Sequence, residues 1–64
     1  MDAALENRTT RDAILEAAEA LFSEHGFKAV TIREIARRAG ANVASISYYF
    51  QSKEGLLRAI YEEH

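Results

Sequence analysis

Sixty-four residues with a net charge of −2 make at most one small domain, and a chain of this size buries only about 60% of its unfolded surface. The lack of cysteine excludes disulfides and cysteine-based metal sites and suits a reducing compartment. No apolar run approaches the roughly 20 residues needed to span a bilayer and no signal-peptide pattern opens the chain, so the expected setting is cytoplasmic.

Residues 1–8 show no periodicity and predict a mobile arm, whose Arg8 can reach a phosphate if ordered. Thr9 or Thr10 then caps a first helix, with Asp12 in the first turn where the dipole favours an acid. That helix is expected to run to about His25, where Gly26 stops it. Its inner face reads as Ile14, Ala17, Ala18, Leu21, Phe22 and His25, and Phe27 and Val30 close the core beneath the next connection. His25 is expected to sit near the last carbonyls of the helix. No second His, Cys or carboxylate lies at metal spacing, so no metal, cofactor or catalytic residue is assigned.

The stretch from Thr31 to Lys53 predicts two short helices joined by a tight turn. Thr31 with Glu34 three residues later is a capping box. Ile32, Ile35, Ala36 and Ala39 share one face, and Arg33, Arg37 and Arg38 fall off it toward solvent. Gly40 supplies a left-handed helix stop, and Asn42 caps the next helix, Val43 to Phe50. Only Ala41 and Asn42 separate Gly40 from that helix, which forces a steep crossing of the helix-turn-helix kind. Ala36 is small enough to allow close approach, and Ile46 drops into the angle between the helices.

Charge is unevenly placed. Residues 27–53 carry Lys28, Arg33, Arg37, Arg38 and Lys53 against Glu34 alone, while the segments on either side are net acidic. Local field matters more than the total to a polyanion. In the third helix Ile46 and Phe50 face inward, with partial cover from Tyr48 or Tyr49, one of which is expected in the core with a wet hydroxyl. Val43, Ala44, Ser45 and Ser47 point outward, and small side chains let a helix enter the roughly 12 Å major groove of B-DNA. The serine hydroxyls suit base edges, Val43 and Ala44 suit a thymine methyl, and the tyrosine hydroxyls suit phosphates.

Ser52 caps a fourth helix. Lys53 in its first turn opposes the dipole unless an anion is bound there, and a helix N-terminus with a lysine suits a phosphate. Leu56, Leu57, Ile60 and Tyr61 form a stripe. Leu56 and Ile60 can pack on the first helix, but Leu57 and Tyr61 have no evident partner, so this reads as a domain cut from a longer protein. The expected fold is all-α: a three-helix, homeodomain-like helix-turn-helix bundle over residues 9–53, with the start of a fourth helix over residues 54–64. A competing reading is a small protein-interaction module docking through Leu57 and Tyr61. An enzyme is not expected, because no nucleophile–base pair has suitable spacing.

These residues resemble the N-terminal DNA-binding domain of the TetR/AcrR family of transcriptional regulators. The resemblance is carried by Arg11, Ile14, Leu15, Ala17, Ala18 and Phe22, then Gly26-Phe27, Thr31, Ile35, Ala36 and Ala39-Gly40. Tyr48-Tyr49-Phe50, Ser52-Lys53 and Leu56-Leu57 complete it. The variant AGANVASISYYFQSKEGL is similar to the CecR-like branch. The resemblance implies a repressor with helix 3 in the major groove of a palindromic double-stranded operator. It also implies a homodimer in the full-length parent, a monomer as this fragment, and a small-molecule effector bound by the missing C-terminal domain. It further implies a bacterial cytoplasmic protein that joins the nucleoid when bound. It assigns base contacts to Arg33, Val43, Ala44, Ser45 and Ser47, and phosphate contacts to Thr31, Tyr48, Tyr49 and Lys53; Arg37, pointing to solvent on the second helix, is expected to meet a phosphate as well. The family commonly has a polar residue where Val43 stands, Gly where Ala44 stands and Tyr where Ser47 stands. Direct readout here is therefore expected to lean on apolar contacts, two hydroxyls and Arg33.

Overall fold

Each helix begins on a side chain that its own sequence supplies. The computed structural model describes residues 9–63; the expected arm with its Arg8, and His64, lie outside the described residues. Among the described residues there are four α-helices: α1 (Thr10–His25), α2 (Ile32–Ala39), α3 (Val43–Phe50) and α4 (Lys53–Glu62). A short 3-10 turn, Phe27–Ala29, links α1 to α2. Of the two candidate caps for α1, Thr9 is the one used. Its hydroxyl accepts from the Asp12 amide at 3.1 Å, and Asp12 accepts in return from the Thr9 amide. Thr31 and Glu34 form the same reciprocal box on α2. Asn42 accepts from the Ser45 amide at 2.8 Å on α3, and Ser52 from the Gly55 amide at 3.0 Å on α4.

The turn between α2 and α3 is built as expected. Gly40 is left-handed, at φ 70° and ψ 29°. The Gly40 amide donates to Arg37 and the Ala41 amide to Ala36, the two bonds of a Schellman stop. The turn between α3 and α4 is less ordinary. Gln51 has φ 74° and ψ −43°, and the Ser52 amide donates across it to the Phe50 carbonyl at 2.8 Å. This is a γ-turn of the rare positive-φ kind, a strained conformation for a residue with a side chain.

Helix α1 is the spine, packed against α2, α3 and α4 together. The core comprises Ile14, Ala17, Ala18 and Leu21 from α1, Val30, Ile35 and Ala36, Ile46 and Phe50 from α3, and Leu56 and Ala59 from α4. Burying each of the large aliphatic members contributes roughly 1.5–3 kcal/mol. Leu15, Phe22, Ile32, Ala39, Ala41 and Ile60 cover its edges. Arg11 straps the far end: its guanidinium meets the Glu63 carboxylate at 3.2 and 2.5 Å and lies 5.1 Å from the Phe50 ring centre.

Two packing expectations fail. His25 is exposed rather than on the inner face of α1, with Nε2 3.6 Å from the Glu24 carboxylate. The Phe22 and Phe27 rings, 5.2 Å apart, close that end of the core and leave His25 outside it. Neither Tyr48 nor Tyr49 enters the core: they are 81% and 41% exposed. Ile46 and Phe50, one helical turn apart, already fill the inward positions.

Candidate nucleic-acid interface

The outward surface of α3 follows from its inward one. With Ile46 and Phe50 buried, Val43, Ala44 and Ser47 are exposed and Ser45 is half-buried. These side chains are small, so the helix surface is low and its backbone accessible to a groove. Tyr48 and Tyr49 stand beside it, edge to face at 5.1 Å between ring centres.

The cations fall into two groups. Arg33 and Arg37 are exposed on α2 and make no hydrogen bond or ion pair among the described residues. Arg38 is turned toward α1, with Nη1 3.4 Å from the Glu24 carboxylate. A cation already paired with a carboxylate gains less from a phosphate, so Arg33 and Arg37 are the stronger candidates on this helix. Glu34 lies between them in sequence and stays ionised. The Thr31 backbone amide donates to its carboxylate at 2.9 Å, the Thr31 hydroxyl adds a second bond, and together they hold its pKa below the usual range. Thr31 is exposed, but both of its donors are given to Glu34, so a phosphate there competes with an anion already in place.

Lys53 departs from expectation most clearly. Its Nζ turns back from the N-terminus of α4 and donates to the carbonyls of Phe27 at 2.9 Å and Val30 at 3.0 Å. The ammonium also lies 4.3 Å from the Phe27 ring centre. The carbonyl oxygens and the ring offset the unfavourable helix dipole at this position.

Three further features were not visible in residue patterns. Gly55 must be glycine, because a Cβ there would fall 2.0 Å from the Phe50 carbonyl oxygen. Phe27 serves as the aromatic face under Lys53. The Arg11–Glu63 pair joins residues 52 positions apart. All three are contacts through space that no local spacing announces.

Nothing else in the described residues suggests chemistry. They hold no cluster of three His, Asp or Glu side chains able to bind a metal, and no polar side chain is buried. A groove of about 180 Å³ lined by Ala13, Glu16, Ala17, Ala20, Arg38 and Ala39 is smaller than ordinary small-molecule sites of roughly 300–1,000 Å³. Among the described residues no helix is long and apolar enough to cross a membrane.

A short helix carrying small side chains, held out from a three-helix core by a glycine turn and flanked by exposed arginines, defines a helix-turn-helix domain. Residues 14–60 match the model of the bacterial regulatory proteins of the tetR family, and the chain belongs to that family. It is 47% identical over 55 residues to a probable HTH-type transcriptional regulator, YttP, of Bacillus subtilis, covering 86% of this chain and 27% of that protein. It is 46% identical over 55 residues to the HTH-type transcriptional dual regulator CecR of Shigella flexneri, covering 86% of this chain and 24% of that one. Its fold matches the crystal structure of a mutant HlyIIR protein with a TM-score of 0.81 at 42% identity, over 84% of this chain and 30% of the other. The chain thus spans about a quarter of the length of the curated relatives it matches.

Proposed function

We propose that this domain binds double-stranded DNA for transcriptional regulation, with α3 in the major groove. The observation that carries the reading is the pairing of a low, exposed α3 face with Arg33 and Arg37 on the neighbouring helix, neither of which makes a hydrogen bond or close ion pair among the described residues. Val43, Ala44, Ser45 and Ser47 read base edges by van der Waals contact and hydroxyl hydrogen bonds. Arg33 takes a guanine through its two parallel donors. Arg37, Tyr48, Tyr49 and Thr31 hold phosphates and fix the register, Thr31 by exchanging Glu34 for the phosphate. In a longer cytoplasmic parent, α4 continues into a domain that dimerises and binds a small effector, and two copies of α3 read a palindromic operator as a repressor. The names of the relatives support regulation, and their greater length leaves room for that second domain.

An amide NMR titration of the folded chain with a generic duplex at low salt tests the reading. Shifts at Thr31–Arg38 and Val43–Tyr49 that fade as salt rises are expected, because phosphate contacts dominate the affinity of a single domain. Tyr61 is 75% exposed, which supports a second reading in which α4 docks a protein partner. Amides that stay still with DNA, or move only around Leu57 and Tyr61, would favour it.

A further inference from the structure

We propose that α3 selects its half-site by the 5-methyl groups of pyrimidines, through Val43 and Ala44; the assignment deepens the DNA-binding reading above and rests on it. The first residues of a recognition helix are the ones that meet base edges, and in α3 these are Val43 and Ala44, both exposed. In the major groove guanine is taken by Arg or Lys, adenine by Asn or Gln, and cytosine by Asp or Glu. None of these residue types stands among the eight residues of α3. Asn42, directly before them, carries an amide, but its Oδ1 already accepts the Ser45 amide at 2.8 Å as the helix cap. A bidentate contact to adenine would have to share that oxygen. The hydroxyls of Ser45 and Ser47 donate and accept alike, so they suit any base edge. What is left for α3 to tell bases apart is the one apolar group that the groove displays, the pyrimidine 5-methyl. Val43 fits that role on separate grounds. It is 43% exposed, and the other large apolar side chains exposed among the described residues are all tyrosines, whose hydroxyls belong in water. Val43 has no polar atom to set against its exposure, and a methyl pressed on it removes apolar surface from both partners.

The test begins with duplexes selected from a random pool by the 64-residue chain at low salt. The enriched sequence is then made with deoxyuridine in place of thymidine, one position at a time. Uracil keeps every hydrogen-bonding group of thymine and lacks only the methyl. At the positions that Val43 and Ala44 cover, affinity should fall about fourfold for each methyl removed, the value of burying one such group. Cytosine placed there opposite guanine should likewise bind about fourfold worse than 5-methylcytosine at the same place. In a Val43→Ser/Ala44→Ser variant both ratios should fall to near one. If that variant does not fold, Val43→Ser alone is held to the same outcome at a single position. A wild-type chain indifferent to every thymine methyl overturns the proposal. Ratios that persist in the variant show the methyls to be read by other residues or through DNA shape, and overturn it too. So does a chain that binds duplex but enriches no sequence, since its α3 then reads no base. A chain that binds no duplex at all overturns the DNA reading itself.

Discussion

Replacing Gly55 with alanine should destabilise the domain, against the rule that alanine is the better helix former. Gly55 is the third residue of α4, and propensity alone favours Gly→Ala in a helix by roughly 0.5–1 kcal/mol. The added Cβ would lie 2.0 Å from the Phe50 carbonyl oxygen and 3.2 Å from its carbon. Even close C···O contacts are about 3.3 Å or more, so the carbonyl must retreat by more than ~1 Å. That carbonyl also accepts the Ser52 amide across the positive-φ Gln51, so retreat loosens a hydrogen bond with a net value of ~1 kcal/mol. Overpacking against backbone costs ~1–3 kcal/mol. After the propensity gain is deducted, about 2 kcal/mol of destabilisation remains. For a domain of this size that lowers Tm by about 8–16 °C, read by thermal melting in far-UV circular dichroism. A Tm equal to or above that of the wild type would refute the close approach of α4 to the end of α3.

Three other perturbations probe the binding face and the caps. Arg33→Ala should cost about 1–3 kcal/mol of discrimination between duplexes selected from a random pool and the unselected pool; equal weakening of both would sink the base contact. Glu34→Gln keeps the capping box, since glutamine serves at that position, but removes the only carboxylate of residues 27–53. Affinity for generic duplex at low salt should therefore rise severalfold, and an unchanged affinity would mean that this end of α2 stays clear of phosphates. Glu34 and Glu63 are both held below the usual carboxylate range, the first by hydrogen bonds from Thr31 and the second by the Arg11 guanidinium. Their contribution is complete above the ordinary glutamate value of about 4.3 and is lost as pH falls through the lower folded values. Acid titration of stability should accordingly be flatter for a Glu34→Gln/Glu63→Gln double variant, and identical profiles would refute the linkage.

What was legible in the sequence is what is local. The four caps act over three residues, so Thr9, Thr31, Asn42 and Ser52 announce their helices directly. The apolar rhythm of α1 and α2 likewise gives most of the core. Periodicity misplaced His25 because it extends a face to the last residue of a helix without knowing that Phe27 folds back over Phe22. It misplaced the tyrosine pair because it assigns a face but not how much room Ile46 and Phe50 leave there. For Lys53, charge and position suggested an anion but could not announce the carbonyls 23 and 26 residues away that hold its ammonium. Gly55 was silent for the same reason, since only the turn at Gln51 brings the Phe50 carbonyl against it.

The short length of α3 separates what the domain is from what it selects. Eight residues fall below the roughly 12–15 at which an isolated helix begins to hold in water, so α3 exists only because Ile46 and Phe50 are gripped by α1. Its outward residues contribute little to that grip. Substitutions at exposed positions such as Val43, Ala44 and Ser47 ordinarily change stability by no more than about 0.5 kcal/mol. Descendants of this chain can therefore exchange those letters, and with them the sites they occupy, while the scaffold beneath is left untouched.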